Sequence, residues 1–133
     1  MRKKVLTTGT YNLCHAGHIR LFEFCSSLGY LVVGINSDEY LIKKYGKEKT
    51  VQLKDRIYVL KACKFIDEVV VFDEDDPCNL ISQIKPDVYV KGPDYKGVII
   101  PEIDIIIKLG IRYIIQDAKK EYNSSNLLNT LIC

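Results

Sequence analysis

The chain has 133 residues, 47% of them hydrophobic, and its 19 basic and 17 acidic side chains leave a net charge of +2. That is apolar material for one core, so residues 1–133 are expected to form a single domain. The near balance of charge, with no clustered basic face, gives no case for a nucleic-acid partner. No apolar run approaches the roughly 20 residues of a membrane span.

The start, Met1-Arg2-Lys3-Lys4, is basic, but the apolar run behind it is too short for a signal peptide. A cytoplasmic protein is expected. The five cysteines are an odd number without a C-x-x-C spacing. They read as reduced thiols and small core residues.

In chain order, a short apolar run over 5–8 reads as a buried strand. It is followed by Gly9-Thr10-Tyr11-Asn12-Leu13-Cys14-His15-Ala16-Gly17-His18. Residues 17–28 then carry Leu21, Phe24, Cys25 and Leu28 at helical spacing. The stretch between is a strand-to-helix crossover, where backbone N–H groups and the positive end of a helix dipole converge. Its natural occupant is an anion, most often phosphate. His15 and His18 are the only histidines. Three residues apart at a helix start, they are placed to face the same anion.

Further strands are expected over 31–36, 68–72, 88–91 and 112–115. Helices are expected over 38–45, 53–64, 77–84 and 101–109, with a last one over 125–131. Residues 101–109 are rich in isoleucine and also fit a strand. Pro101 and Glu102 look like a first helical turn and Gly110 like a stop, so helix is preferred. This helix is apolar nearly all round, and a homodimer interface is expected there. Strands apolar throughout, each followed by a helix, imply a parallel sheet covered on both faces. The expected fold is α/β, a Rossmann-like, doubly wound, five-stranded parallel sheet. Ligands in such sheets bind beyond the carboxyl ends of the strands, where strand order reverses. The loop with the two histidines is then the default site.

Other segments carry weaker signals. Ser37 or Asp38 is a helix cap. Lys43, Lys44, Lys47 and Lys49 surround Gly46, either as a solvated face or as a mobile loop that lays an ammonium on phosphate. Arg56 either clamps phosphate or pairs with Asp55, Asp67 or Glu68. The acidic loop 73–76 is read as a turn and helix start. In Pro86-Asp87-Val88-Tyr89-Val90-Lys91-Gly92-Pro93-Asp94-Tyr95, Lys91 ends a strand within reach of phosphate, and Gly92 permits close backbone approach. Ser124 and Ser125 form a hydroxyl pair at a helix start, a cap and also a phosphate cradle.

The segment from Gly9 to His18 resembles the G-T-F-D-x-x-H-x-G-H signature of the cytidylyltransferase-like nucleotidyltransferases. That superfamily includes glycerol-3-phosphate cytidylyltransferase and the nucleotidyltransferase domain of ADP-heptose synthase. Pro86 to Tyr95 resembles the P-D-x-x-V-K-G-x-D-Y run of the heptose-type domain. Ser124-Ser125 is similar to the hydroxyl pair of the family's S-T-T segment. The resemblance runs from about residue 4 to 131. Asn12 departs from it, because the relatives carry aspartate.

The resemblance implies nucleotidyl transfer from ATP or CTP to a phosphorylated sugar or polyol, with release of pyrophosphate. The heptose-phosphate adenylyltransferase kind is the better match, and the glycerol-3-phosphate cytidylyltransferase kind stays open. It implies His15, His18 and Lys44 as the catalytic donors. Gly9, Thr10, Tyr11, Gly17, Lys91, Gly92, Asp94, Tyr95, Ser124 and Ser125 would bind the nucleotide, and Asn12 and Arg56 the substrate. Mg²⁺ is expected to come with the NTP, with no dedicated protein ligands. A zinc site of Cys14, His15 and His18 lacks a fourth ligand. Cys14 and His15 as a nucleophile and base lack an orienting third group. A reading from another class is a nucleotide-binding module without turnover, suggested by Asn12.

Overall fold

The computed structural model describes residues 2–73 and 77–116. Five parallel strands form one sheet in the order β3-β2-β1-β4-β5. They are β1 (Lys4–Gly9), β2 (Tyr30–Asn36), β3 (Glu68–Phe72), β4 (Val88–Lys91) and β5 (Arg112–Ile115). Five α-helices connect them: α1 (Ala16–Leu28), α2 (Asp38–Tyr45), α3 (Leu53–Lys61), α4 (Cys78–Ile84) and α5 (Ile103–Lys108). The expected doubly wound α/β architecture is the observed one. The last expected helix, with Ser124 and Ser125, lies outside the described residues, as does most of the acidic loop.

The sheet alternates its side chains between two cores, as the two-residue period of a strand requires. Val5, Leu31, Val33, Ile35, Val88 and Val90 face one way, against Leu21, Phe22 and Cys25 of α1 and Leu60 of α3. Leu6, Val32 and Tyr89 face the other way, against Leu80 and Ile81 of α4 and Ile106 of α5. Covering both faces is what makes the strands read as continuous apolar runs. Gly29 sets the tight return from α1 into β2. A Cβ there would sit 2.2 Å from the Lys3 carbonyl oxygen, so a larger residue would break the Tyr30 N–H to Lys3 bond of 2.8 Å.

Residues 101–109 do form a helix, though a shorter one than expected. Gly110 stops it with φ of 67°, a value L side chains rarely adopt. The helix is amphipathic in its surroundings: Ile106 is buried, whereas Ile107 is 71% exposed and the neighbouring Ile99 is 89% exposed.

The chain winds outward from β1 through β2 to β3, then crosses back to β4 and β5. Strand order therefore reverses between β1 and β4, which pair in parallel at Val5–Val88 and Leu6–Tyr89. The carboxyl ends of these two strands open a crevice. The two segments with the strongest sequence signals leave from there, the one from the end of β1 through Tyr11 and the other from the end of β4 through Tyr95.

Candidate active site

The N-terminus of α1 is capped by its own two histidines. His15 is the N-cap, and its Nδ1 accepts the Gly17 N–H at 3.0 Å. His18, three positions on, accepts the His15 N–H at its own Nδ1, at 3.2 Å. This is a reciprocal capping box with imidazoles in place of the usual hydroxyl and carboxylate. It also settles the tautomers. An Nδ1 that accepts a backbone N–H carries no hydrogen, so in each neutral ring the hydrogen sits on Nε2. The rings stack with centroids 4.0 Å apart and planes 25° from parallel. Tyr11 meets His18 edge-on at 5.3 Å and packs on Phe22.

Both imidazoles are held neutral. Burial lowers the pKa of His15, with the Asp94 carboxylate opposing. Burial also lowers His18, to about 4, with neighbouring His15 adding to it and Asp94 opposing. Near pH 7 the pair is two hydrogen-bond donors without net charge.

A cavity of about 390 Å³ opens against His18 of this pair, and His15 is not among the residues that line it. Gly9, Thr10, Tyr11 and His18 form its floor at the end of β1. Lys91, Gly92, Asp94 and Tyr95 form the wall from β4, and Lys44 comes in from α2. The structure thus brings together nine of the sequence-predicted residues around one space. Tyr11 has φ of 46°, a strained value for a non-glycine residue that is common at binding sites. Gly9 makes room for it, because a Cβ at Gly9 would lie 3.0 Å from the Tyr11 ring.

Lys44 sits between two aromatic rings, 5.6 Å from the Tyr40 centroid and 5.3 Å from that of Tyr45. Both tyrosines line the cavity. Lys91 is buried. Its ammonium donates to the Thr8 carbonyl at 3.1 Å and to Thr8 Oγ1 at 3.0 Å, and it lies 4.7 Å from the Tyr95 ring centroid. Desolvation pulls its pKa down to about 8, with Glu102 opposing. An ammonium has three donors, so one remains for a ligand.

Two expected substrate contacts have other work. Arg56 is only 1% exposed and is not in the cavity wall. Its guanidinium donates to the carbonyls of Val51, Thr10 and Asn36 and to Asp38 Oδ1 at 2.8 Å. It ties α3 to the ends of β1 and β2. Its acidic partner is Asp38, not one of the three carboxylates expected. Asn12 is likewise outside the wall. Its Nδ2 donates to the Lys49 carbonyl and its Oδ1 accepts the Val51 N–H. Gly17 acts through its N–H on His15. The helix cap left open between Ser37 and Asp38 is Ser37, which accepts the Tyr40 N–H.

Several cavity residues were not among the expected site residues. Thr7, Thr8, Asn36, Tyr40, Tyr45 and Glu102 all line it. Thr7 and Thr8 are polar residues in an apolar strand, and that mismatch was the one available cue. Among the described residues, no three His, Cys, Asp or Glu side chains group as a metal site, and no helix is long and apolar enough to cross a membrane.

A family model described as cytidylyltransferase-like matches residues 6–126. The chain belongs to the cytidylyltransferase-like family. Among curated relatives, it is 45% identical over 107 residues to the bifunctional protein HldE of Campylobacter concisus, covering 79% of this chain and 23% of that protein. It is 41% identical over 98 residues to HldE of Sulfurimonas denitrificans, covering 72% and 20%. The chain thus spans about a quarter of the length of the curated relatives it matches. Two solved structures share the fold. A lipopolysaccharide core biosynthesis protein from Thermoplasma volcanium superposes with a TM-score of 0.73 at 22% identity, over 90% of this chain and all of that one. Pantothenate synthetase from Thermus thermophilus gives 0.62 at 14% identity, over 93% and 60%. At these identities the likeness speaks for the fold alone.

Proposed function

We propose that this cytidylyltransferase-like chain transfers a nucleotidyl group from an NTP to a phosphorylated sugar or polyol and releases pyrophosphate. The observation that carries the reading is the stacked, neutral His15–His18 pair, with its hydrogens on Nε2, at the start of α1 and beside a cavity with Lys44 and Lys91 in its walls. ATP and a heptose phosphate are the substrates we favour. The likeness of Lys91–Tyr95 to the heptose-type run supports them, as do the HldE relatives. CTP with a polyol phosphate is the second choice, supported by the Gly9-Thr10 start.

The chemistry asks little of the protein beyond placement. The attacking oxygen belongs to a phosphate and is already anionic at pH 7, so no general base is required. The remaining tasks are in-line alignment and neutralisation of charge growing on the α-phosphate and the departing pyrophosphate. His18, with His15 stacked on it, donates from Nε2 to the phosphates. A fixed, uncharged donor needs no reorganisation as negative charge shifts from one oxygen to the next. Lys44 and Lys91 add positive charge from other walls. Mg²⁺ would arrive on the triphosphate and offset its charge. Asp94 is a carboxylate in the cavity wall able to approach it, and the described residues offer no closed cage.

The reading as a binding module without turnover rested on Asn12. That side chain braces the lysine loop and is not in the cavity wall, so its difference from aspartate removes no ligand from the site. Pyrophosphate release over a panel of ATP, CTP, GTP and UTP against phosphorylated acceptors tests the proposal. Release with one NTP and a sugar or polyol phosphate is expected. NTP binding without release under every acceptor would replace it with the module.

A further inference from the structure

In the cavity wall, a buried anion is joined to the buried cation by an unbroken line of hydrogen bonds. Lys91 Nζ donates to Thr8 Oγ1 at 3.0 Å. Thr8 Oγ1 and Tyr89 Oη are 2.7 Å apart, and Tyr89 Oη donates to Glu102 Oε2 at 2.6 Å. Because Tyr89 spends its one hydrogen on the carboxylate, Thr8 must donate to Tyr89. All the hydrogen bonds then run one way, from ammonium to carboxylate. All four residues are buried, Glu102 at 2% exposure. Tyr89 and Thr8 are a spacer that holds two opposite charges apart inside the protein.

A buried carboxylate needs partners for both oxygens. Tyr89 serves Oε2, and the described residues provide Oε1 with no hydrogen-bond donor. Glu102 lines the cavity, as do the apolar Ile100, Pro101, Phe72 and Pro77. The carboxylate repels phosphate, which His18, Lys44 and Lys91 attract. What suits a lone carboxylate oxygen in a wall with apolar side chains is a hydroxyl-bearing carbon chain. Its O–H donates to the oxygen and its C–H groups pack on the rings and side chains around it.

We propose that Glu102 is a specificity-determining residue of this site, accepting a hydrogen bond from a substrate hydroxyl while the Tyr89–Thr8 bridge keeps Lys91 in place for phosphate. The hydroxyl belongs to the acceptor's carbon chain or to the ribose of the NTP. This rests on the function proposed above and adds the residue that reads the sugar.

The test compares wild type, Glu102→Gln and Tyr89→Phe. Gln keeps the size of the side chain and loses its charge, and Phe removes only the bridge to the carboxylate. Steady-state pyrophosphate release is measured with ATP or CTP against dATP or dCTP, and with glycerol 3-phosphate and mannose 1-phosphate against methyl phosphate. In E102Q, KM is expected to rise about tenfold, the worth of a charge-assisted hydrogen bond over a neutral one, for the hydroxylated substrate that Glu102 reads. KM for the hydroxyl-lacking counterpart stays within twofold. A rise for the acceptor assigns the acceptor chain, and a rise for NTP but not dNTP assigns the ribose. Y89F gives a smaller rise on the same substrate. Equal KM values in wild type and E102Q for every substrate would overturn the proposal, as would equal losses with and without the hydroxyl. If wild type turns over no pair, the proposed function fails. Calorimetric binding of mannose 1-phosphate and of ATP to wild type and E102Q then still decides the role of Glu102.

Discussion

Asn12 accepts the Val51 N–H at 2.8 Å on one side of its amide and donates to the Lys49 carbonyl from the other. One side chain in the histidine loop thereby clasps the strand of backbone that closes the lysine loop. A side-chain amide offers a donor and an acceptor on one planar group. Aspartate at this position could keep the first bond and would set a carboxylate against the carbonyl of the second.

Asn12→Ala should therefore loosen residues 47–51 without touching the cavity wall. The Val51 amide is expected to exchange with solvent at least tenfold faster, at a stability cost of about 1 kcal/mol. Asn12→Asp should keep Val51 protected and loosen only the Lys49 side. Amide exchange followed by NMR checks both. Unchanged exchange at Val51 in the alanine variant would show that the clasp does not hold the loop.

Arg56→Met should destabilise the fold by about 3 kcal/mol, read as a lower urea midpoint. It strips donors from the carbonyls of Val51, Thr10 and Asn36 and leaves Asp38 without its ion pair. Arg56→Lys should recover little, because one ammonium cannot span acceptors arranged around a planar fork. A wild-type midpoint with a raised KM for NTP would instead return Arg56 to phosphate binding.

The His18 imidazole is depressed to about 4, first by burial and then by His15. A group with a lowered folded pKa contributes stability that is complete above its unfolded value near 6.5 and is lost as pH falls toward 4. Wild type should lose stability over that window by roughly 3 kcal/mol at most, and His18→Gln should flatten the slope. NMR titration of the His18 ring, with no transition between pH 8 and 5, checks the cause directly.

Lys91 behaves in the opposite functional sense. Burial brings its pKa down to about 8, so in the free protein the ammonium is lost as pH rises past that value. Phosphate binding must then take up a proton. NTP affinity should fall between pH 8 and 9 by up to about tenfold per unit. Lys91→Met should bind more weakly throughout and without that slope. Calorimetry across pH 7–9 shows it, and an unchanged slope in the variant would place the titration elsewhere.

Much of this molecule is written in local runs. β3, β4 and β5 begin and end at the residues expected of them, and the isoleucine-rich segment is a helix because Pro101 and Gly110 punctuate it. The histidine pair was legible for the same reason: both rings, the cap and the crossover lie within ten residues. The Lys91–Tyr95 wall is equally contiguous. Arg56 was not legible, because its acceptors lie on three other segments and an exposed clamp and a buried tie have the same letter. Glu102 was invisible for a related reason. Its importance comes from Tyr89, 13 positions away, and from Thr8, 81 positions from Tyr89. Only the pairing of β1 with β4 brings them together.

The central claim is that two neutral imidazoles at the start of α1 hold the polyphosphate in the transition state. Pyrophosphate release by His18→Ala, in the NTP and acceptor pair that wild type uses, tests it most directly. The account predicts a fall in kcat of at least about 100-fold, the usual worth of a preorganised donor to developing charge, with the melting temperature at pH 7 within a few degrees. A variant that folds and turns over within threefold of wild type would contradict it.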